Sequence, residues 1–144
     1  MAAPKLARAG VERMDLIGAS WGGVVASIGL LAGSGRDLPL RLGIVAIAFA
    51  AGGFLSGIRA NARRLRHALV AFVVAYAIYA AFIGLAHLIH GAGGPEPPDL
   101  IPADDGQQAL MALGWSAAFM LIGTWLASML LGGDGGRRRR RRRR

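Results

Sequence analysis

The sequence predicts an all-α integral membrane protein: four transmembrane helices in an antiparallel bundle, with both termini cytoplasmic (N-in/C-in). Three observations lead there. Apolar residues make up 54% of the 144-residue chain and only 17% are charged, with a mean hydropathy of +0.45, more apolar than a soluble domain of ordinary composition. The apolar residues gather into four runs, 16–32, 42–58, 68–89 and 109–131, none of which contains Asp, Glu, Lys or Arg, and each is of a length that crosses a bilayer as a helix. Charge is sorted between the connections: 15 of the 17 Lys and Arg precede the first run, separate the second from the third, or follow the fourth, whereas five of the eight acidic residues lie in the other two connections. Basic loops beside membrane segments stay in the cytoplasm, so an even number of spans with both ends inside accounts for the distribution.

Residues 1–15 form a cytoplasmic N-terminal segment carrying Lys5, Arg8 and Arg13. A signal peptide cleaved near Ala32 to Gly35, or an organelle transit peptide, fits less well, because Glu12 and Asp15 interrupt the basic run and the apolar stretch exceeds a usual signal core. In the first span, Gly18, Gly22, Ala26, Gly29 and Gly33 fall within an arc of about 80° on a helical wheel, opposite Ile17, Trp21, Val24, Ile28 and Leu31. Small residues on one face let another helix approach, so the bulky side is expected to face lipid. Gly33, Ser34 and Gly35 then end the helix.

Asp37 is a candidate N-cap for a second helix with Pro39 in its first turn, and Arg41 is expected to snorkel outward. Gly43, Ala46, Ala50, Gly53 and Gly57 share one arc of the second span, including a GxxxG pair at Gly53 and Gly57. The short turn makes the first two helices neighbours, and their glycine faces are expected to pack on each other. In the third span, Phe72, Tyr76, Tyr79, Ile83, His87 and His90 fall within about 80°. Tyr79 sits near the middle of the run, where a hydroxyl facing lipid lacks a partner, so this stripe is expected to point into the bundle or at a partner protein.

Residues 91–108, GAGGPEPPDLIPADDGQQ, read as an external acidic loop rich in Gly and Pro. Asp104 with Gln107, or Asp105 with Gln108, has capping-box spacing for the fourth helix. That helix is expected to pack through Gly114, Ala117, Leu121, Thr124 and Ser128, before residues 132–144 form a Gly/Arg cytoplasmic tail ending in Arg137 to Arg144.

The segment around which these elements are arranged is GGFLSGIRANARRLRHALVAF, Gly52 to Phe72. Here Arg59, Arg63, Arg64, Arg66 and His67 divide two membrane-length runs and set the topology. A glycine-paired helix end, a short basic hinge, an R-x-H-x-L-V pattern and a new apolar helix together resemble the YrzE-like family of small four-span bacterial membrane proteins. The resemblance covers about twenty residues, or about a third of the chain with the adjoining spans. It implies a four-helix fold and no known reaction, and the acidic loop and Arg tail have no counterpart in it.

His87 and His90, three residues apart on one helix face, could bind a zinc-like ion with a carboxylate from Asp99, Asp104 or Asp105. The simpler reading is two histidines near a helix C-terminus, where the dipole and interfacial water favour them. Tyr76, Tyr79, His87 and His90 form a candidate polar face for a solute or ion pathway, although ionisable residues within spans usually mark such pathways. Arg137 to Arg144 suit anionic lipid headgroups, at about 1 kcal/mol each before saturation. The chain contains no cysteine, which excludes disulfides and thiolate chemistry; its one serine in G-x-S-x-G spacing, Ser20, lies inside the first apolar run and not in a strand-to-helix turn, and no phosphate-binding loop follows a strand.

The expectation is therefore a small cell-membrane protein, not an enzyme and with no cofactor, acting in an accessory or structural role through helix packing and contact with anionic lipid. The alternative is an oligomeric small-solute or ion transport protein. Expected partners are membrane lipids and a second copy or a larger membrane complex, with no specific nucleic acid.

Overall fold

The computed structural model describes the backbone of residues 3–60, 64–95 and 106–141, and side chains within those bounds except at 3–15, 59, 108 and 132–141. All regular structure among the described residues is helical: α1 (Ala3–Gly33), α2 (Leu38–Arg59), α3 (Arg64–Gly91) and α4 (Gly106–Arg141). Each contains a stretch long and apolar enough to cross a membrane, at Leu16–Gly33, Leu38–Ile58, Arg64–Gly91 and Ala109–Leu131.

Helix limits differ from the apolar runs in informative ways. Helix α1 continues back through the basic lead-in to Ala3, and α4 continues through Gly132 to Gly136 as far as Arg141, so the predicted Gly/Arg tail is helical over most of its length. Backbone hydrogen bonding propagates a helix past the apolar residues once it has nucleated, and arginine is a good helix former. Helix α3 starts at Arg64, and His67, expected in a hydrated basic loop, is buried in its first turns. Arg64 is half-buried and Arg66 exposed, while Arg63 and Arg144 lie outside the described residues and the side chains of Arg59 and Arg137 are not among those described. Asp37 does occupy the N-cap position of α2 with Pro39 in the first turn, but its side chain makes no capping hydrogen bond. Its carbonyl accepts from the Arg41 N–H at 2.9 Å. Gly35, at φ 70°, turns the chain between α1 and α2.

Helices α1 and α2 are the central pair, with α3 against α1 and α4 against α2. Helix α3 also touches α2 and α4, whereas α1 and α4 make no contact among the described residues. Half of the apolar window of α1 is buried, against 22% of those of α3 and α4, which identifies α1 as the more enclosed element.

The α1–α2 contact forms as the small-residue pattern predicts. A Cβ on Gly22 would collide with the Gly52 carbonyl oxygen, and one on Gly52 with that of Gly22, so the two backbones meet directly. Farther along, Gly29 meets Ala48, and Gly33 meets Arg41 and Val45. Gly18 is buried on the same side, and Ile17, Trp21 and Ile28 face outward. Leu31, expected to face outward too, instead packs against the edge of the core.

The predicted face of α2 is corrected. Gly53 and Gly57 do not meet α1; they meet Met120, Thr124 and Ala127 of α4, and Gly43 has no neighbour within 4 Å. Successive helix residues point 100° apart, so the adjacent glycines Gly52 and Gly53 serve two different helices. The face of α4 is rotated accordingly: Gly114 has nothing within 4 Å and Leu121 is exposed, whereas Ser116, Met120, Thr124 and Ala127 are buried. Gly123 lies so close to α2 that a Cβ there would strike the Ala50 carbonyl. Thr124 holds this seam by donating both to the Gly53 carbonyl at 3.1 Å and to its own helix at Met120.

These seams predict opposite responses to one added methyl. Gly53→Ala and Gly123→Ala should each lower the unfolding free energy by about 1–3 kcal/mol through overpacking. Gly114→Ala should leave it unchanged or raise it, since alanine is the better helix former. Denaturing-detergent titration in mixed micelles measures all three.

Candidate functional site

At the end of the bundle carrying the α1–α2 turn, the four helices surround a partly open cleft. It is lined by Leu30 of α1, Arg41 and Val45 of α2, Tyr76 and Tyr79 of α3, and Trp115 of α4, together with Leu42 and Ala112. Its volume of about 30 Å³ is room for one or two waters.

Local structure places each polar group. Pro39 and the Asp37 carbonyl start α2 so that Arg41 falls in its first turn. It does not snorkel away from the bundle as expected; it is half-buried and lines the cleft. The reason is geometric, because Gly33 brings α1 against the Arg41 side-chain stem and leaves the guanidinium on the side of the two tyrosines. Tyr76 and Tyr79, three residues apart, share one face of α3. Below them Phe49, Phe72 and Tyr76 form an aromatic cluster with ring centroids 4.9–5.9 Å apart. On α4, Trp115 packs on Phe119 at 4.9 Å and its indole N–H donates to the Leu42 carbonyl at 3.3 Å.

Polar satisfaction within the cleft is uneven. The Tyr76 hydroxyl lies 2.7 Å from Ser116 Oγ. Ser116 has one proton and directs it to the backbone carbonyls of Ala112 and Leu113, at 2.9 and 3.0 Å, which makes Tyr76 the donor of the pair. The charge of Arg41 acts on both phenols. Tyr79 differs: its hydroxyl is enclosed, near enough to Arg41 for a charge-assisted contact, but it makes no hydrogen bond of ordinary geometry.

Of the predicted polar face, then, Tyr76 and Tyr79 meet in the cleft and His87 and His90 do not. Both histidines are exposed. His87 lies about 12 Å beyond Tyr79 along the helix axis. His90 closes the helix end, its Nδ1 3.2 Å from the Gly94 carbonyl, while Gly93 at φ 90° lets the Gly94 N–H reach the Ile89 carbonyl. Among the described residues no three His, Asp or Glu side chains gather to hold a metal ion; Asp99, Asp104 and Asp105 lie outside the described residues. Arg41, Trp115 and Ser116 are the site residues that the sequence reading missed. The available signal was the buried hydroxyl of Tyr79, which called for donors and acceptors on neighbouring helices.

No protein-family model, no curated protein and no solved structure matches the chain.

The Tyr76–Ser116 bond joins α3 to α4, which touch only lightly. A double-mutant cycle of Tyr76→Phe and Ser116→Ala, read by unfolding in mixed micelles, should give a coupling of about 0.5–1.5 kcal/mol, the range for interhelical hydrogen bonds.

Proposed function

We propose that this chain is a multi-pass cell-membrane protein, an antiparallel four-helix bundle with both termini cytoplasmic, acting in an accessory or structural role. The observation that carries the reading is the pair of backbone-to-backbone seams on α2, Gly22 with Gly52 and Gly53 with Met120. Close approach of this kind makes a rigid scaffold in lipid, where apolar side chains provide no driving force of their own between helices. The large apolar residues left outside, among them Trp21, Ile47, Leu69, Leu121 and Trp125, suit a lipid-facing surface. The basic residues between α2 and α3 and the run Arg137 to Arg144 suit the anionic cytoplasmic leaflet. The resemblance to the YrzE-like family agrees with this class. Its partners in this reading are anionic lipids and either a second copy or a larger membrane complex, with no specific nucleic acid, cofactor or catalytic reaction.

One observation favours a second reading, an oligomeric small-solute or ion pathway. The enclosed Tyr79 hydroxyl without an ordinary hydrogen bond is the kind of polar group that lines a passage. His87, exposed and a turn or more away from the cleft, would have to belong to a different part of such a path.

Purification from the source organism in native nanodiscs, followed by mass spectrometry, distinguishes the two. The accessory reading expects one stoichiometric protein partner; a lone homo-oligomer whose liposome flux falls with Tyr79→Phe or His87→Ala would replace it with transport. Topology is tested separately. Because the chain contains no cysteine, single cysteines at Ala2 and at Ala92 can be labelled without background. An impermeant maleimide added to intact cells should label Ala92→Cys and spare Ala2→Cys.

A further inference from the structure

Helix α4 is held unevenly along its length. From Met120 onward its turns are anchored to α2, with Met120 against Gly53, Gly123 against Ala50, and Thr124 and Ala127 against Gly57. Thr124 also donates to the Gly53 carbonyl. The first three turns, Gly106 to Ser116, show no such approach. A Cβ on Gly106 or Gly114 would meet nothing within 4 Å, and Leu110, Met111, Leu113 and Trp115 are exposed. This part is tied at its lower edge by the Trp115 indole N–H to the Leu42 carbonyl, at 3.3 Å longer than a usual N–H···O bond, and by the Tyr76 hydroxyl to Ser116 at 2.7 Å.

Ala112 and Trp115 are the α4 wall of the cleft. A small tilt of the first three turns withdraws that wall and opens the cleft sideways, between α3 and α4. The other three helices stay joined, α1 to α2 through Gly22 and Gly52, and α1 to α3 through Gly23 and Ala71. Separating such a seam means losing close van der Waals contact over several turns, whereas one neutral hydrogen bond is a latch that thermal motion opens and recloses. We propose that residues 106–116 of α4 form a lateral gate, pivoting on the Met120–Gly53 contact and latched by the Tyr76–Ser116 bond, that opens the cleft to the hydrocarbon of the bilayer. The opening toward lipid rests on the membrane-spanning reading; the motion itself does not.

The test is pulsed dipolar spectroscopy on the full chain in nanodiscs, with spin labels at exposed positions: Leu85→Cys with Leu110→Cys across the gate, and Ile28→Cys with Ile47→Cys across the α1–α2 seam. The gate pair should show two distances. Its longer population should grow about two- to tenfold with Tyr76→Phe, the effect of one lost hydrogen bond. Ser116→Ala should do the same, and the α1–α2 pair should keep one distance throughout. A single gate distance that neither substitution changes would overturn the proposal. So would equal broadening of both pairs, which is loosening of the whole bundle. A separate label at Val73→Cys, also exposed, reports the surroundings through oxygen and nickel-chelate contact. Lipid there supports an opening into the bilayer; water there overturns that direction of opening while leaving the measured motion in place.

Discussion

The fold depends on how closely α2 can approach two neighbours at once. Gly52 and Gly53 are adjacent in the chain, and each puts bare backbone against another helix, Gly52 against Gly22 of α1 and Gly53 against Met120 of α4. In water, apolar side chains would drive such helices together. In hydrocarbon they do not, and close van der Waals contact between backbones takes over that role. Neither contact tolerates a side chain, so α2 has one permitted rotation about its axis. Once it is fixed, Ala48 and Val45 must face α1, Gly57 must face Thr124 and Ala127, and Arg41, on the α1 side, comes to rest over the tyrosines.

How far the sequence disclosed this follows from the nature of each signal. Span number rests on long charge-free runs, which have few other physical explanations, and all four recur as apolar helices. The α1 face toward α2 was legible because Gly18, Gly22, Gly29 and Gly33 share one stripe, whereas its second close approach, Gly23 against Ala71 and Val74 of α3, gave no such repeat. On α2, eight small residues from Ala46 to Gly57 allow more than one stripe, and the GxxxG pair at Gly53 and Gly57 points to the face that belongs to α4. On α4 the choice between Gly114 and Gly123 is of the same kind: both are glycines at plausible spacing, and only the backbone of α2 at Ala50 decides between them. Helix ends were least legible. Hydrogen bonding carries α1 and α4 well past their apolar cores, whereas hydropathy marks only where lipid would begin.

The polar cleft shows a further limit. Tyr76 and Tyr79 announced themselves by spacing on a single helix. Their partners Arg41 and Ser116 lie 35 and more residues away in sequence, on other helices, and no one-dimensional pattern joins them. Arg41 was the harder of the two, because an arginine in the first turn of a membrane helix ordinarily turns to the headgroups. Here the contact of its stem with Gly33 and the presence of two phenols hold it over the cleft.

The two-sided character of α2 also bears on the order in which the molecule is assembled. During synthesis α1 and α2 emerge first, and their shared seam can close as soon as both are made. The Gly53 and Gly57 face has no occupant until α3, the acidic loop and then α4 have been made. For that interval a strip of helix backbone lacks its partner helix. Such a strip is also a place where α2 of another chain, or a small-residue helix of an unrelated membrane protein, can dock before α4 arrives. Because the last helix is made last, intermolecular pairing can compete with completion of the fold until it arrives.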